Sequence, residues 1–159
     1  MIDQDLPYIL ALDPGGTTGY CFVQPDMPRP IVGHIGPHEH HQDLYEGLRK
    51  ATHSSLAAKT ELHIVCEQFE FRQTERHRDF INYIPREYIG VVKLFCQWHP
   101  EVHLFMQSAA QAKGFWSDDK VKLLDLWVPG RKHAMDAVRH YLYHRVFTLN
   151  DKSLLQLLR

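Results

Sequence analysis

The segment YILALDPGGTTGY, from Tyr8 to Tyr20, decides the fold of this chain. Its first part, Tyr8 to Leu12, is an unbroken run of apolar and aromatic residues. Such a run predicts a strand that is buried on both faces, and strands of this kind lie in the middle of a sheet. Asp13 follows directly, so the strand carries one carboxylate at its carboxyl end.

The residues after Asp13 predict a turn and a second strand. Pro14 has no N–H to give to a strand ladder, and Gly15-Gly16 permit a turn with positive φ. Thr17 to Val23 is again β-branched and aromatic, so the whole segment predicts a hairpin. Asp13 at its base either caps the turn or belongs to a polar site, because a bare buried carboxylate is very costly.

Length and composition are those of an ordinary globular chain. The 159 residues correspond to one domain, with 44% hydrophobic and 23% charged residues. No apolar run approaches the ~20 residues that span a bilayer. The acidic N-terminus lacks the basic and apolar regions of a signal peptide, so we expect a cytoplasmic protein without membrane contact.

The cysteines and the net charge limit which metal sites and nucleic-acid contacts the sequence predicts. The three cysteines are far apart and lie in apolar surroundings, which predicts free thiols in a reducing compartment rather than a zinc site. Lys and Arg number 18 against 19 Asp and Glu. A nucleic-acid partner must therefore be bound by a local basic patch.

The order of predicted elements is β-β-β-α-β-α-β-α-α. An antiparallel hairpin is followed by βα units, and these require parallel neighbours. We expect one domain over residues 1–159, with an apolar C-terminal tail at 151–159 that packs on the body or on a second subunit. The predicted strands are Tyr8–Leu12, Thr17–Val23, Ile31–Ile35, Leu62–Phe69 and Val102–Met106. The predicted helices span 44–56, 84–98, 117–127 and 133–146, and Gly90 is predicted to interrupt the second of them.

Four polar residues are predicted to meet at one edge of this sheet. Asp13 ends the first strand and Glu67 ends the fourth, and sites in open α/β sheets form at the carboxyl ends of strands. The last helix opens with His133 and Asp136, one turn apart on the same face. The small residues Ala134 and Ala137 let that helix lie close to the sheet.

Three carboxylates and an imidazole repel or perturb one another unless a cation lies between them. A site made mostly of oxygen atoms suits Mg²⁺ or Mn²⁺. Two such ions about 3.5–4 Å apart promote in-line displacement at phosphorus, with Asp13 as the bridging ligand. Taken singly, Glu67 is a strand-end surface acid, His133 a helix-start residue and Asp136 an acid favoured by the helix dipole. The interpretation as a site depends on their joint placement.

Three short motifs in the same order resemble one known family. They are Asp13-Pro14-Gly15 with Gly19-Tyr20, then Ile64-Val65-Cys66-Glu67-Gln68, then His133-Ala134-Met135-Asp136-Ala137. On these residues the chain resembles the RuvC-type Holliday junction resolvases of the RNase H-like superfamily, in a phage-type or otherwise divergent version. His133 stands at a position where some members of the family carry His and others Asp. The resemblance covers nearly the whole chain.

The resemblance implies a fold, an activity and a set of site residues. The implied fold is an α/β, RNase H-like, five-stranded mixed sheet flanked by helices on both faces. The implied activity is paired hydrolysis of four-way (Holliday) DNA junctions by a homodimer that depends on Mg²⁺ or Mn²⁺, with two ions per site. The catalytic and metal-binding residues would be Asp13, Glu67, His133 and Asp136. For a phage-encoded protein, the location would be the host cytoplasm.

Aromatic and basic residues after Glu67 predict a DNA contact. Stacking on bases and contacts to phosphates are how proteins hold distorted DNA. In the resembling family this region carries an aromatic wedge, which makes Phe69 or Phe71 the candidate here, and alternation places one of the two in the core. The other predicted DNA-binding residues are Arg72, Arg76, Arg78, Lys113 and Lys132, with Lys120, Lys122 and Arg131 as further phosphate candidates; the family tends to carry a basic residue near the site, at Lys113.

Three alternatives remain open at this point. The hairpin also resembles the phosphate-binding hairpin of sugar-kinase and actin-like ATPases, which need two such domains and much longer chains. Another RNase H-like nuclease would share the metal site but cut flaps, forks or packaging intermediates. A non-catalytic module would bind branched DNA without cutting it.

Overall fold

The structure is a computed structural model, and it describes residues 6–36, 41–70 and 83–158. A five-stranded sheet with the order β3-β2-β1-β4-β5 forms its centre. The strands are β1 (Tyr8–Asp13), β2 (Thr18–Val23), β3 (Ile31–Ile35), β4 (Leu62–Glu67) and β5 (Val102–Gln107). The fully buried β1 lies in the middle, as its apolar run predicts.

Strand pairing is antiparallel on one side of β1 and parallel on the other. β1 pairs antiparallel with β2, and β2 with β3, whereas β1 pairs parallel with β4, and β4 with β5. The parallel strands therefore end at the same edge. Asp13, Glu67 and Gln107 are the last residues of β1, β4 and β5, so three polar side chains lie at that edge.

Helices cover both faces of the sheet. Leu10 and Leu12 face one apolar cluster that is completed by the first two helices, and Ile9 and Ala11 face a second that is completed by the later helices. The mixed sheet with helices on both faces is thus confirmed. The helices are α1 (His41–Ala57), α2 (Tyr83–Trp98), α3 (Ala109–Phe115), α4 (Asp118–Leu123), α5 (Lys132–Tyr143) and α6 (Ser153–Gln156), and α5 continues into a π-helical turn, His144–Thr148.

Two helices are absent from the sequence-based prediction, the four-residue α6 in the C-terminal tail and α3 before α4. The α3 helix is short and has little apolar periodicity, but its start carries a recognisable signal. The Ser108 side chain accepts a hydrogen bond from the Gln111 backbone N–H, and the Gln111 side chain accepts one from the Ser108 N–H. This reciprocal capping box satisfies two N–H groups that a helix end leaves open.

Three further expectations are corrected or refined. Gly90 does not interrupt α2, which is continuous from Tyr83 to Trp98. The turn after β1 forms without positive φ at Gly15 or Gly16; within the described residues the only glycine with positive φ is Gly130. The predicted helix at 117–127 ends earlier, at Leu123, with Ser117 as its N-cap.

The C-terminal tail packs on the body of the same chain. Leu154, Leu155 and Leu158 lie against the apolar cluster formed with α5, whereas Leu157 is exposed. Within the part of the chain that the structure describes, no helix is both long and apolar enough to cross a membrane.

The contact between β2 and α5 depends on Gly19. A Cβ atom at Gly19 would lie 2.0 Å from the carbonyl oxygen of His133, inside the helix backbone. Only a residue without Cβ therefore lets the first turn of α5 rest on β2. Gly19 pairs with Asp13 in the sheet, so the same close approach places His133 beside Asp13.

Replacing Gly19 by alanine should destabilise the protein because the helix must move away from the sheet. We expect the Gly19→Ala variant to lose about 2 kcal/mol of unfolding free energy, in the range of overpacked core sites. The measurement is urea unfolding followed by circular dichroism.

Gly90→Ala is the matched control. Gly90 lies exposed in α2, and a Cβ atom there would meet nothing within 4 Å. That variant should gain roughly 0.5–1 kcal/mol, because alanine is the better helix former. Equal stability of the two variants would contradict the close contact of α5 with β2.

Candidate active site

Asp13 and His133 form the first pair of the candidate site. Asp13 ends β1 and is only 4% exposed. Its Oδ2 lies 2.9 Å from Nδ1 of His133, the second residue of α5. The imidazole is about half exposed, so the pair connects the buried end of β1 with the surface.

Lys113 joins the other two carboxylates. Its Nζ lies 3.3 Å from Oε2 of Glu67 and 3.1 Å from Oδ2 of Asp136. Glu67 ends β4, Asp136 is buried in the first half of α5, and Lys113 comes from α3. A helix that sequence analysis missed thus supplies the cation between two predicted site residues.

His140 lies behind Glu67 and is fully buried. Its Nε2 is 2.8 Å from Oε2 of Glu67, and its Nδ1 is 2.9 Å from Oε1 of Gln107. Gln107 ends β5, so the imidazole links the ends of two neighbouring strands to α5. Both ring nitrogens have partners, which fixes the ring and with it the Glu67 carboxylate.

Arg139 lies behind Asp136. Its Nη1 donates to Oδ1 of Asp136 at 2.6 Å, and its Nε donates to the backbone oxygen of Trp116 at 2.9 Å. Nη2 contacts the carboxylate of Asp118 at the start of α4. The guanidinium is almost fully buried, so it holds Asp136 from the interior of the protein.

The charges at this edge shift one another's pKa values. Burial, and next the negative charge of Glu67, raise the pKa of Asp13 to about 6, although the hydrogen bond from His133 acts in the opposite direction. Burial would raise the pKa of Glu67 too, but the hydrogen bond from His140 and the charge of Lys113 outweigh it and lower the pKa. Burial acts to lower the pKa of Lys113, and the Glu67 and Asp136 carboxylates raise it overall.

The donor set suits a divalent cation by its chemistry. Three carboxylates with one imidazole offer mostly hard oxygen ligands. The pKa of Asp13 is raised first by burial and next by the negative charge of Glu67, and a cation would offset both effects. As the side chains stand, however, no three His, Cys, Asp or Glu residues within 6–36, 41–70 and 83–158 form a group that could hold a metal ion. Lys113 occupies the space between Glu67 and Asp136, so an ion bridging those two requires Lys113 to move.

A cavity of about 650 Å³ opens beside these residues. Lys113 and Asp136 form one side of it, and Trp127, Arg131 and Lys132 form much of the rest. Cationic and aromatic side chains next to a carboxylate site give a phosphate-bearing ligand a route to the acids.

The four predicted catalytic residues are therefore brought to one edge of the sheet by three elements, β1, β4 and α5. Their roles stay predictions.

Of the predicted DNA contacts, Lys113 lies inside the site and Lys132 is exposed at the start of α5. Phe69 is partly buried against the apolar cluster of α1 and α2, with the Arg86 guanidinium 5.5 Å from its ring centre. Phe71, Arg72, Arg76 and Arg78 lie outside the described residues.

The remaining phosphate candidates have local partners. Lys120 donates to the Phe115 backbone oxygen at 2.8 Å, and Lys122 lies over the Trp127 ring. Arg131 donates to the backbone oxygen of Val32 at 3.2 Å. These contacts make the three side chains part of the surface framework.

Sequence analysis missed Gln107, Arg139 and His140. A signal for His140 was present, because His133, Asp136 and His140 follow one another at spacings of three and four, which places them on one face of a helix. Gln107 also had a signal, as it ends a strand in the same way as Asp13 and Glu67. For Arg139 the sequence offered only its i,i+3 spacing from Asp136, because its other two partners, Trp116 and Asp118, come from separate segments.

Comparison with known proteins gives a likeness in structure only. The chain superimposes on Thermus thermophilus RuvC in complex with Holliday junction substrate with a TM-score of 0.60 and 18% identity, covering 92% of this chain and 97% of that one. A second Thermus thermophilus RuvC structure gives a TM-score of 0.54 and 18% identity, with 90% and 96% covered. No protein-family model and no curated protein matches the sequence.

These comparisons confirm the fold. The chain has a RuvC-like architecture over almost its full length. At 18% identity the likeness carries the fold alone, so the activity must be argued from the site.

The raised pKa of Asp13 predicts a pH-dependent effect of neutralising it. The folded state binds the Asp13 proton more tightly than the unfolded chain, so this carboxyl group costs stability as pH rises through ~4 to ~6. In EDTA at pH 8, Asp13→Asn should therefore raise the unfolding free energy by on the order of 2 kcal/mol. The gain should be much smaller near pH 4, where the carboxyl is protonated in the folded state and only about half ionised in the unfolded chain.

Urea unfolding at the two pH values measures this effect. Asp43→Asn, on the exposed surface of α1, is the control and should behave like wild type at both. A gain for Asp13→Asn that is the same at pH 4 and pH 8 would contradict the raised pKa of Asp13 in the folded state.

The two phenylalanines after β4 should have separate roles. Phe69 packs against the core, so Phe69→Ala should lower the melting temperature through lost burial. If the chain binds a four-way junction, as the family resemblance implies, Phe71→Ala should reduce the distortion of that junction and leave the melting temperature near that of wild type. Thermal unfolding and fluorescence energy transfer between junction arms measure the two effects. Loss of distortion in Phe69→Ala alone would reverse the assignment.

Proposed function

We propose that this chain is a divalent-metal-dependent endonuclease that resolves four-way DNA junctions by paired phosphodiester hydrolysis. The observation that carries the proposal is the convergence of Asp13, Glu67, His133 and Asp136 at the carboxyl edge of a RuvC-like sheet. The fold alone supports many activities, so the weight lies on this group of side chains.

Asp13, Glu67, His133 and Asp136 are the residues that would hold the metal, Mg²⁺ or Mn²⁺. When bound, two such ions supply activation of the attacking water and stabilisation of the leaving oxygen at phosphorus. Asp13 would be the central ligand of such a site, because it ends the central strand. His133 orients the Asp13 carboxylate through its 2.9 Å contact.

The cationic residues have a separate task. Lys113 lines the cavity, and its ammonium group would be able to move from the carboxylates to a phosphate of the DNA. Lys132 is exposed and lines the same cavity. Phe71 and the arginines Arg72, Arg76 and Arg78 are our candidates for contacts with the unpaired centre of the junction.

Branched DNA as the partner is supported by the structural neighbour, whose complex contains a Holliday junction substrate. A four-way junction presents two scissile strands in symmetric positions, so paired cutting calls for two sites. We therefore propose that the chain acts as a homodimer, with one site for each strand.

A non-catalytic junction-binding module is the second candidate. It is favoured by one observation: Lys113 neutralises Glu67 and Asp136, and no described group of three ligands is arranged for a metal ion. The module and the nuclease bind the same DNA, and they differ in whether a divalent ion produces a cut.

The nuclease proposal predicts metal-dependent, symmetric paired nicks in a synthetic immobile four-way junction. Purified protein is incubated with the junction, a flap, a Y-fork and linear duplex, each with Mg²⁺, Mn²⁺ or EDTA. Asp136→Asn and Glu67→Gln should reduce cleavage by at least about 10³-fold, the order found when essential electrostatic groups are removed. Both should still bind the junction.

Asp43→Asn is the control for the loss of an acid and should cut like wild type. Equal cutting of flaps or forks would retain the nuclease and reject the junction as its substrate. Tight junction binding without cleavage in any metal would leave the binding module as the function.

A further inference from the structure

Asp136 differs from the other two carboxylates in how its oxygens are held. Oδ1 accepts from Arg139 Nη1 at 2.6 Å, and Oδ2 accepts from Lys113 Nζ at 3.1 Å. In Glu67, by contrast, His140 and Lys113 both contact the same oxygen, Oε2. The plane of the Asp136 carboxylate is thus fixed from two sides.

The two cations on Asp136 are not equivalent. The Lys113 side chain is 35% exposed and has a flexible stem, so it can leave for another anion. The Arg139 side chain is 9% exposed and planar, and it cannot turn away without leaving a buried charge unpaired. When Lys113 moves, Oδ2 becomes available while Arg139 continues to hold Oδ1.

Arg139 is itself held by three segments. It lies on α5, it donates through Nε to the backbone oxygen of the fully buried Trp116 at the end of α3, and it contacts Asp118 at the start of α4. Three directions of the rigid guanidinium fork are occupied. The position of Asp136 therefore depends, through Arg139, on the segment that joins α3 and α4.

We propose that Arg139 is a positioning residue of the candidate site, which fixes Asp136 so that its Oδ2 faces the place of the divalent cation. This inference rests on the proposed function for the identity of the ligand. It also goes beyond it, because it assigns the metal affinity of the site to a residue that is not a ligand.

The positive charge of Arg139 and its positioning of Asp136 would change the metal affinity in opposite directions. A measurement of metal affinity therefore distinguishes the two effects. As a mere positive charge, Arg139 weakens cation binding, so its removal would strengthen binding. As a positioning residue it strengthens binding, and removal of groups that orient a metal ligand typically costs 10–100-fold in metal affinity. A structural role alone would lower stability and leave metal affinity unchanged.

The experiment measures Mn²⁺ binding to the full chain without DNA, by calorimetry and by the rise in melting temperature with added Mn²⁺. Arg139→Gln should weaken Mn²⁺ binding about 10-fold or more, and Arg139→Lys should recover part of the loss. Unchanged or tighter binding in Arg139→Gln would overturn the proposal.

Arg145→Gln is the matched control for losing a largely buried arginine. Arg145 pairs with Asp151 and donates to the Tyr141 hydroxyl, beyond the end of α5. This variant should lose stability and keep the Mn²⁺ affinity of wild type. A weakening equal to that of Arg139→Gln would show a general effect of instability and reject the positioning role.

A second variant covers the case in which Arg139→Gln does not fold. Asp118→Ala removes the partly exposed anchor of Arg139 and leaves no buried cavity. It should weaken Mn²⁺ binding in the same direction by a smaller factor, and an unchanged affinity would overturn the proposal. Weaker Mn²⁺ binding in these variants, in a protein that cuts no junction, would keep the inference and reject the proposed substrate. A wild-type protein that binds no Mn²⁺ without DNA would overturn the inference, and the cleavage assay then decides the proposed function separately.

Discussion

The concentration of negative charge at the carboxyl edge of the sheet is the constraint on which the rest of the site depends. Asp13, Glu67 and Asp136 reach this edge from three elements, and burial removes the water that would screen them. Each acid has one cationic or imidazole partner on α5: His133 for Asp13, His140 for Glu67 and Arg139 for Asp136. Lys113 then joins the last two carboxylates from the solvent side.

The position of α5 couples this electrostatic arrangement to the packing of the core. His133, Asp136, Arg139 and His140 all lie on α5, so every acid depends on how that helix sits on the sheet. Gly19 sets the distance, because its missing side chain lets the first turn of α5 rest on β2. A change that moves the helix therefore alters stability and the three acid contacts together.

The features that depend on the local order of residues along the chain could be predicted from the sequence. The buried run Tyr8–Leu12 places Asp13 at the end of the central strand, and the βα order places Glu67 on the neighbouring strand. The contacts of Arg139 could not be predicted, since Trp116 and Asp118 are 23 and 21 residues away in sequence. Lys113 was found only through a resemblance, and its helix was missed because a capping box, and not apolar periodicity, marks its start.

The likeness to RuvC structures and the chemistry of the site support different parts of the argument. The likeness fixes the fold, and at 18% identity it says nothing about individual side chains. The side chains show three acids whose charges are balanced by protein groups, and no three residues in the described part of the chain are arranged as ready metal ligands. In the proposed nuclease, cation binding would require the half-buried Lys113 to give way while the buried Arg139 and His140 keep the carboxylates in place. A displaceable lysine combined with fixed partners would let one set of residues be stable without a metal and still bind one.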